Sequence, residues 1–140
     1  MPDDAASLPP PRADAVVAIA PQRLCAGTEL AEKGRAVLFD VLHFREPARA
    51  FALRFEGRVV AYLNRCVHVP TELDWQPGEF LDAGREFIIC AIHGASYAAQ
   101  TGRCIGGPCG QGRLLPIETF ERAGEVWWQP TRDTRPPFPD

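Results

Sequence analysis

No run in this chain comes near the ~20 consecutive apolar residues that a membrane-spanning helix needs. The longest apolar stretch near the N-terminus, Ala15 to Ala20, is preceded by acidic Asp3 and Asp4. A secretory signal would want a basic opening and a longer apolar core. Excess positive charge is lacking as well: 15 Lys and Arg against 18 Asp and Glu leave a net charge of −3. That argues against an electrostatic footprint for nucleic acid, and no basic amphipathic stretch points to a membrane surface. Internal repeats are absent, as are helix-period segments longer than a few turns. The expectation is a cytoplasmic chain whose partners are proteins.

What is present is a recurrence of short strand-forming runs separated by turn residues. Residues 1–14 (MPDDAASLPPPRAD) have little to bury and read as a disordered leader. Gln22 to Ala26 opens the first strand, and Thr28 to Glu32 reads as a short capped turn between Gly27 and Gly34. Val37 to Leu42, Ala50 to Phe55 and Val59 to Asn64 follow, the last two joined by a hairpin turn at Glu56-Gly57. The charge-rich run Arg45 to Arg49 reads as a solvated loop. Phe80 to Ala83 pairs with Phe87 to Cys90 across Gly84-Arg85, and Tyr97 to Gln100 with Arg103 to Ile105 across Thr101-Gly102. Leu114 to Arg122 and Val126 to Trp128 close the sheet across Ala123 to Glu125. Four prolines between Pro130 and Asp140 mark residues 131–140 as a flexible tail. The whole is an all-β antiparallel sandwich or small barrel spanning 15–130, with residues 64–110 inserted at one end. At 140 residues there is room for a single core.

The chemistry-bearing residues sit in that insertion. Cys66-Val67-His68 places two metal donors on one turn, and Cys90-Ala91-Ile92-His93 does the same after a spacer of 21 residues. Two Cys and two His can fill a tetrahedral zinc site. They can equally hold a [2Fe–2S] cluster in which two His replace two Cys on one iron. Zinc fingers usually carry both Cys in one segment and both His in the other. Here each segment carries one of each, which suits two bridged irons better than one zinc.

Cys66-Val-His68, Cys90-Ala-Ile-His93-Gly94 and Gly106-Gly107-Pro108 resemble the Rieske iron–sulfur domain, whose pattern is C-x-H, a spacer, C-x-x-H-G and a proline-containing loop. The resemblance covers roughly residues 22 to 129. It implies that Cys66 and Cys90 ligate one iron and His68 and His93 the other. Gly106, Gly107 and Pro108, with Cys109, would form the loop covering the cluster. Respiratory relatives join their ligand loops by a disulfide between extra cysteines, and neither loop has one here. Of the remaining cysteines, Cys25 reads as a small buried apolar residue. Cys104 and Cys109 lie close in sequence, but cytosolic thiols are normally reduced, so the expectation is two thiols.

Neutral imidazoles in place of two thiolates leave the oxidised cluster uncharged, which eases addition of an electron. Rieske potentials accordingly lie at about −150 to +300 mV, against about −400 mV for plant-type ferredoxins. High-potential relatives continue C-x-x-H-G-S-x-Y, with Ser and Tyr hydroxyls donating to the cluster sulfurs. Tyr97 stands at the Tyr position, but Ala95 replaces the Ser and cannot donate. Ser96 is one residue out of place, and Pro70 offers no N–H. Fewer donors imply a potential in the lower half of that range. Reduction should also tighten proton binding at His68 and His93, so the potential should fall at alkaline pH.

The resemblance implies a one-electron carrier, a soluble Rieske-type ferredoxin passing electrons from a reductase to an oxygenase or similar acceptor. A catalytic oxygenase component would need a further iron held by two His and a carboxylate. Only His43 remains, so the chain is not expected to be an enzyme by itself. The alternatives are a zinc-stabilised interaction module, and a non-catalytic Rieske accessory subunit of a larger redox enzyme. Trp75, Trp127 and Trp128 read as core or rim packing rather than electron relays.

Overall fold

Strand formers at alternate positions dictate two buried faces on one central sheet. The computed structural model describes residues 19–67, 71–91 and 94–137. The leader expected over 1–14 lies outside them. Strands β1 (Gln22–Ala26), β2 (Val37–His43), β3 (Glu46–Phe55) and β4 (Arg58–Leu63) come first. They are followed by β5 (Phe87–Ile89), β6 (Ser96–Ala98), β7 (Cys104–Gly106), β8 (Thr119–Arg122), β9 (Glu125–Trp128) and β10 (Thr134–Arg135). Every ladder between these strands is antiparallel, in three sheets ordered β1-β9-β8, β10-β2-β3-β4 and β5-β6-β7. The fold is all-β, as expected. Among the described residues no helix is long and apolar enough to cross a membrane.

Side chains alternate along a strand, so β3 and β4 face two cores at once. Phe51, Leu53, Phe55 and Tyr62 pack toward the 64–114 segment, with Leu73, Phe80, Leu81, Ile88, Tyr97 and Leu114. Ala50, Ala52, Ala61 and Leu63 pack the opposite way, with Cys25, Val41, Val126 and Trp128. The capped turn after β1 is a 3-10 turn, Gly27–Glu29, in which the Ala26 N–H donates to Glu29 Oε2 at 3.0 Å. Glu56 and Gly57 adopt φ of 52° and 80°, the left-handed pair that a two-residue hairpin of the right twist requires.

Three local expectations are corrected. Arg45 to Arg49 is not a loop: the β2–β3 ladder runs through Asp40↔Arg49 and His43↔Glu46, leaving only Phe44 and Arg45 at the tip. Leu114 to Glu118 is not strand, because Pro116 has no N–H for a ladder and forms only a bridge to Tyr62. Residues 131–140 are not wholly a free tail. Thr134 and Arg135 pair with His43 and Leu42, and His43 Nδ1 shares a 2.8 Å hydrogen bond with Thr134 Oγ1. An open edge on β2 rewards that pairing more than four prolines oppose it.

Candidate metal centre

β4 ends at Leu63, and the loop after it is fixed by a buried polar residue. Asn64 is 4% exposed; its Oδ1 accepts the Leu73 N–H at 2.7 Å and its Nδ2 donates to Asp74 Oδ1 at 3.1 Å. A buried amide must find partners, and these close the chain from 64 to 74. Inside that loop the Cys66 N–H donates to Thr71 O at 2.8 Å. The second turn follows β5. Cys90 N–H donates to Ala95 O at 2.8 Å, and Gly94 N–H to Cys90 O at 2.9 Å. Ala91 N–H then reaches Leu73 O at 3.2 Å, so the two turns are tied through their backbones.

Cys66 and Cys90 are both buried and belong to one core. His68, Pro70 and His93 lie outside the described residues. Tyr97 joins the two turns. Its ring is fully buried, Val67 N–H donates to its Oη at 3.2 Å, and Cys66 Sγ lies 3.6 Å from that oxygen. Burial, aided by the hydrogen bond with Cys66, pushes the Tyr97 hydroxyl up to about 12. It therefore keeps its proton at neutral pH. The hydroxyl and the Cys66 sulfur share a hydrogen bond in which either can donate while Cys66 is a thiol, and in which the hydroxyl donates once the sulfur is a thiolate. The phenol thus makes a polar contact with Cys66 as well as filling the core. Ala95 is fully buried and offers no hydroxyl.

A third loop packs on both turns. Residues 104–112 return on themselves through Cys104 N–H to Gly112 O and Gly112 N–H to Cys109 O, each at 2.9 Å. Gly107 has φ of 84°, and a Cβ there would stand 2.7 Å from Gly94 O and 2.8 Å from Ala95 Cα. A Cβ on Gly112 would collide with Val67 Cγ1. Only glycine permits these approaches. Cys104 and Cys109 are joined by a disulfide, with Cα atoms 5.7 Å apart. The expectation of two thiols is thereby overturned, since the Gly106-Gly107-Pro108 turn brings the pair within disulfide reach. Cys25 is buried in the opposite core, where burial pushes its thiol up, as an inert packed residue should be. Trp128 is buried in that same core, whereas Trp75 is 48% exposed with its indole N–H on Leu81 O at 3.1 Å.

Two buried thiols on turns fastened to each other, with a phenol hydroxyl in hydrogen-bond contact with one sulfur, form a donor set that fits an iron–sulfur cluster. The comparisons agree. The family model for the Rieske [2Fe-2S] domain matches residues 20–134, and the chain belongs to that family. Its cofactor is accordingly a Rieske-type [2Fe–2S] cluster.

Among solved structures, the chain resembles the ferredoxin of carbazole 1,9a-dioxygenase from Nocardioides aromaticivorans IC177. Identity is 22%, TM-score 0.63, and the match covers 80% of this chain and 99% of that one. The complex of reduced oxygenase and oxidised ferredoxin in carbazole 1,9a-dioxygenase matches at 20% identity and TM-score 0.60, over 78% of this chain and 92% of that one. The quaternary ammonium Rieske monooxygenase CntA, bound to an inhibitor, matches at 19% identity and TM-score 0.63. That match covers 80% of this chain but only 31% of CntA. These likenesses establish the fold. No curated protein matches the sequence significantly.

Proposed function

We propose that this chain is a ferredoxin-like carrier that takes one electron from a reductase and passes it to an oxygenase or similar acceptor. The observation that carries the reading is the convergence of buried Cys66 and Cys90 with the Tyr97 hydroxyl on Cys66 Sγ. Cys66 and Cys90 would hold one iron, and His68 and His93 the other. When bound, the cluster supplies reversible uptake of a single electron. The residues of the chain do the rest. Tyr97 steadies negative charge on Cys66 sulfur through its hydroxyl, and burial keeps that hydroxyl protonated. Gly106, Gly107 and Pro108, on the third loop, would shield the site from water.

A carrier also needs a face for its partners. Among the described residues the exposed large apolar side chains are Phe44, Val67, Trp75, Phe87, Ile105 and Leu115. Four of these six belong to the 64–110 segment. Exposed apolar groups on the segment that bears the redox centre suit transient protein contacts better than a sealed catalytic pocket. One of the similar structures is a complex of a ferredoxin with its oxygenase, which supports partners of this kind without identifying them.

Spectroelectrochemical titration of the anaerobically purified protein tests the reading. One reversible one-electron wave inside the Rieske range of about −150 to +300 mV is expected. A protein with no reversible wave in that range would overturn it.

A further inference from the structure

The disulfide stands apart from the inter-loop bridge of the respiratory relatives: it lies wholly within the third loop, joining cysteines separated by 5 positions. Its position is mechanical. Between its two cysteines lies Gly107, pressed on Gly94 and Ala95; just beyond it lies Gly112, pressed on Val67. One short cross-link therefore fixes the loop whose two contact points sit on the Cys90 turn and the Cys66 loop. We propose that Cys104–Cys109 is a reducible clamp, a modification site for dithiols, whose opening loosens the third loop's grip on both turns.

The two sulfurs are not equivalent. Cys104 is partly exposed, whereas Cys109 is 6% exposed and packed in the core with Cys66 and Cys90. A dithiol reductant therefore attacks at Cys104. Its thiolate forms a bond to Cys104 Sγ as the Cys104–Cys109 bond breaks, and the electron pair leaves on Cys109 Sγ, which takes up a proton. The second thiol of the reductant then attacks its own mixed disulfide and frees Cys104, which is protonated in turn. The reductant leaves as a disulfide, and the protein has gained two electrons and two protons. The freed Cys109 thiol finds Gly106 O 3.3 Å away as an acceptor. In the open state the Gly112 backbone bonds and the short β6–β7 ladder are left to hold the loop, so exchange at its amides should rise. The effect on cluster retention rests on the functional reading above; the clamp does not.

The test treats the purified protein anaerobically with dithiothreitol, counts thiols by alkylation and mass spectrometry, and follows amide hydrogen exchange. Two additional alkylated cysteines, mapped to 104 and 109, are expected. Exchange over 94–97 and 104–112 should rise about tenfold while β1, β8 and β9 stay unchanged. The double variant Cys104→Ser, Cys109→Ser should show the fast exchange without reductant and no response to it. It should also lose visible absorption several times faster than wild type under a chelator. No gain of thiols short of unfolding would overturn the proposal, and so would gained thiols with unchanged exchange over 94–97. If the protein proves colourless but the exchange responds as expected, the clamp stands and only the cluster reading fails.

Discussion

The two faces of β3 are built from the same strand and differ in almost every respect. Toward the β1-β9-β8 sheet the strand presents Ala50 and Ala52, small residues against which that sheet lies close. Large side chains come from the other sheet, with Trp128 tilted on Phe39 at a ring separation of 5.2 Å. Toward the 64–114 segment β3 presents Phe51, Leu53 and Phe55. Phe51 stacks on Phe80 at 3.7 Å and 12°, and Tyr62 donates its hydroxyl to Ala99 O at 2.7 Å. The first face is closed by ladders of four paired positions each, one with a bulge between Arg23 and Cys25. The second is closed by strands of three residues, turns and single bridges, so it depends on large anchors and specific hydrogen bonds. The difference shows how a rigid sheet holds an irregular segment still enough to carry a metal centre.

Substitutions on each side should separate the two faces. Cys90→Ser should have the largest effect, abolishing the cluster and its visible absorption. The near-ultraviolet circular dichroism of Trp127 and Trp128, on the other sheet, should persist. Its loss would mean that the two faces fold as one.

Phe51→Ala removes the stack on Phe80 and should cost about 3–5 kcal/mol in denaturant unfolding. Ala52→Leu, its neighbour on the opposite face, overpacks instead and should cost about 1–3 kcal/mol. Equal costs would erase the contrast between an anchored and a close-packed face.

Tyr97→Phe keeps the ring and deletes the hydroxyl. A hydrogen bond of net worth about 1 kcal/mol to the reduced state corresponds to about 40 mV for one electron. The potential should fall by about that much, as voltammetry can read. An unchanged potential would reduce Tyr97 to packing.

The smallest effect belongs to the C-terminal end of β3. Arg54 donates to Leu30 O and Gly27 O and pairs with both oxygens of Glu121 at 3.1 Å. That hydrogen-bonded guanidinium holds the Glu121 carboxyl below its ordinary range. A depressed carboxylate stabilises the fold above its unfolded pKa, and the contribution is lost as pH falls through the folded one. Wild type should therefore exceed Glu121→Gln by less than about 1 kcal/mol at neutral pH, since the pair is partly exposed. The two should converge at acid pH, a comparison that urea titrations at several pH values would make.

The sandwich was largely legible in the sequence, and its irregular end less so. Glu56-Gly57 and Ala123-Gly124 are turns because only left-handed backbone closes such hairpins, and short-range chemistry marks them. Cys66 and Cys90 stood out because donor pairs at close spacing are rare outside metal sites. The β10 pairing was hidden because it depends on which edge of β2 is open, a property of the assembled sheet. The disulfide was hidden for a related reason: compartment argued one way, while the turn at Gly107 set the distance. The Tyr97 contact with Cys66 links positions 31 apart in sequence, and only the resemblance, through the C-x-x-H-G-S-x-Y pattern, pointed to it.

The central claim is that four side chains, Cys66, His68, Cys90 and His93, hold two bridged irons. Assay of iron, acid-labile sulfide and zinc on anaerobically purified protein, alongside EPR of the reduced state, tests it most directly. About two irons and two sulfides per chain, with a rhombic signal of average g below two, are predicted. A colourless protein carrying about one zinc would contradict the claim and turn the same four residues into a structural site.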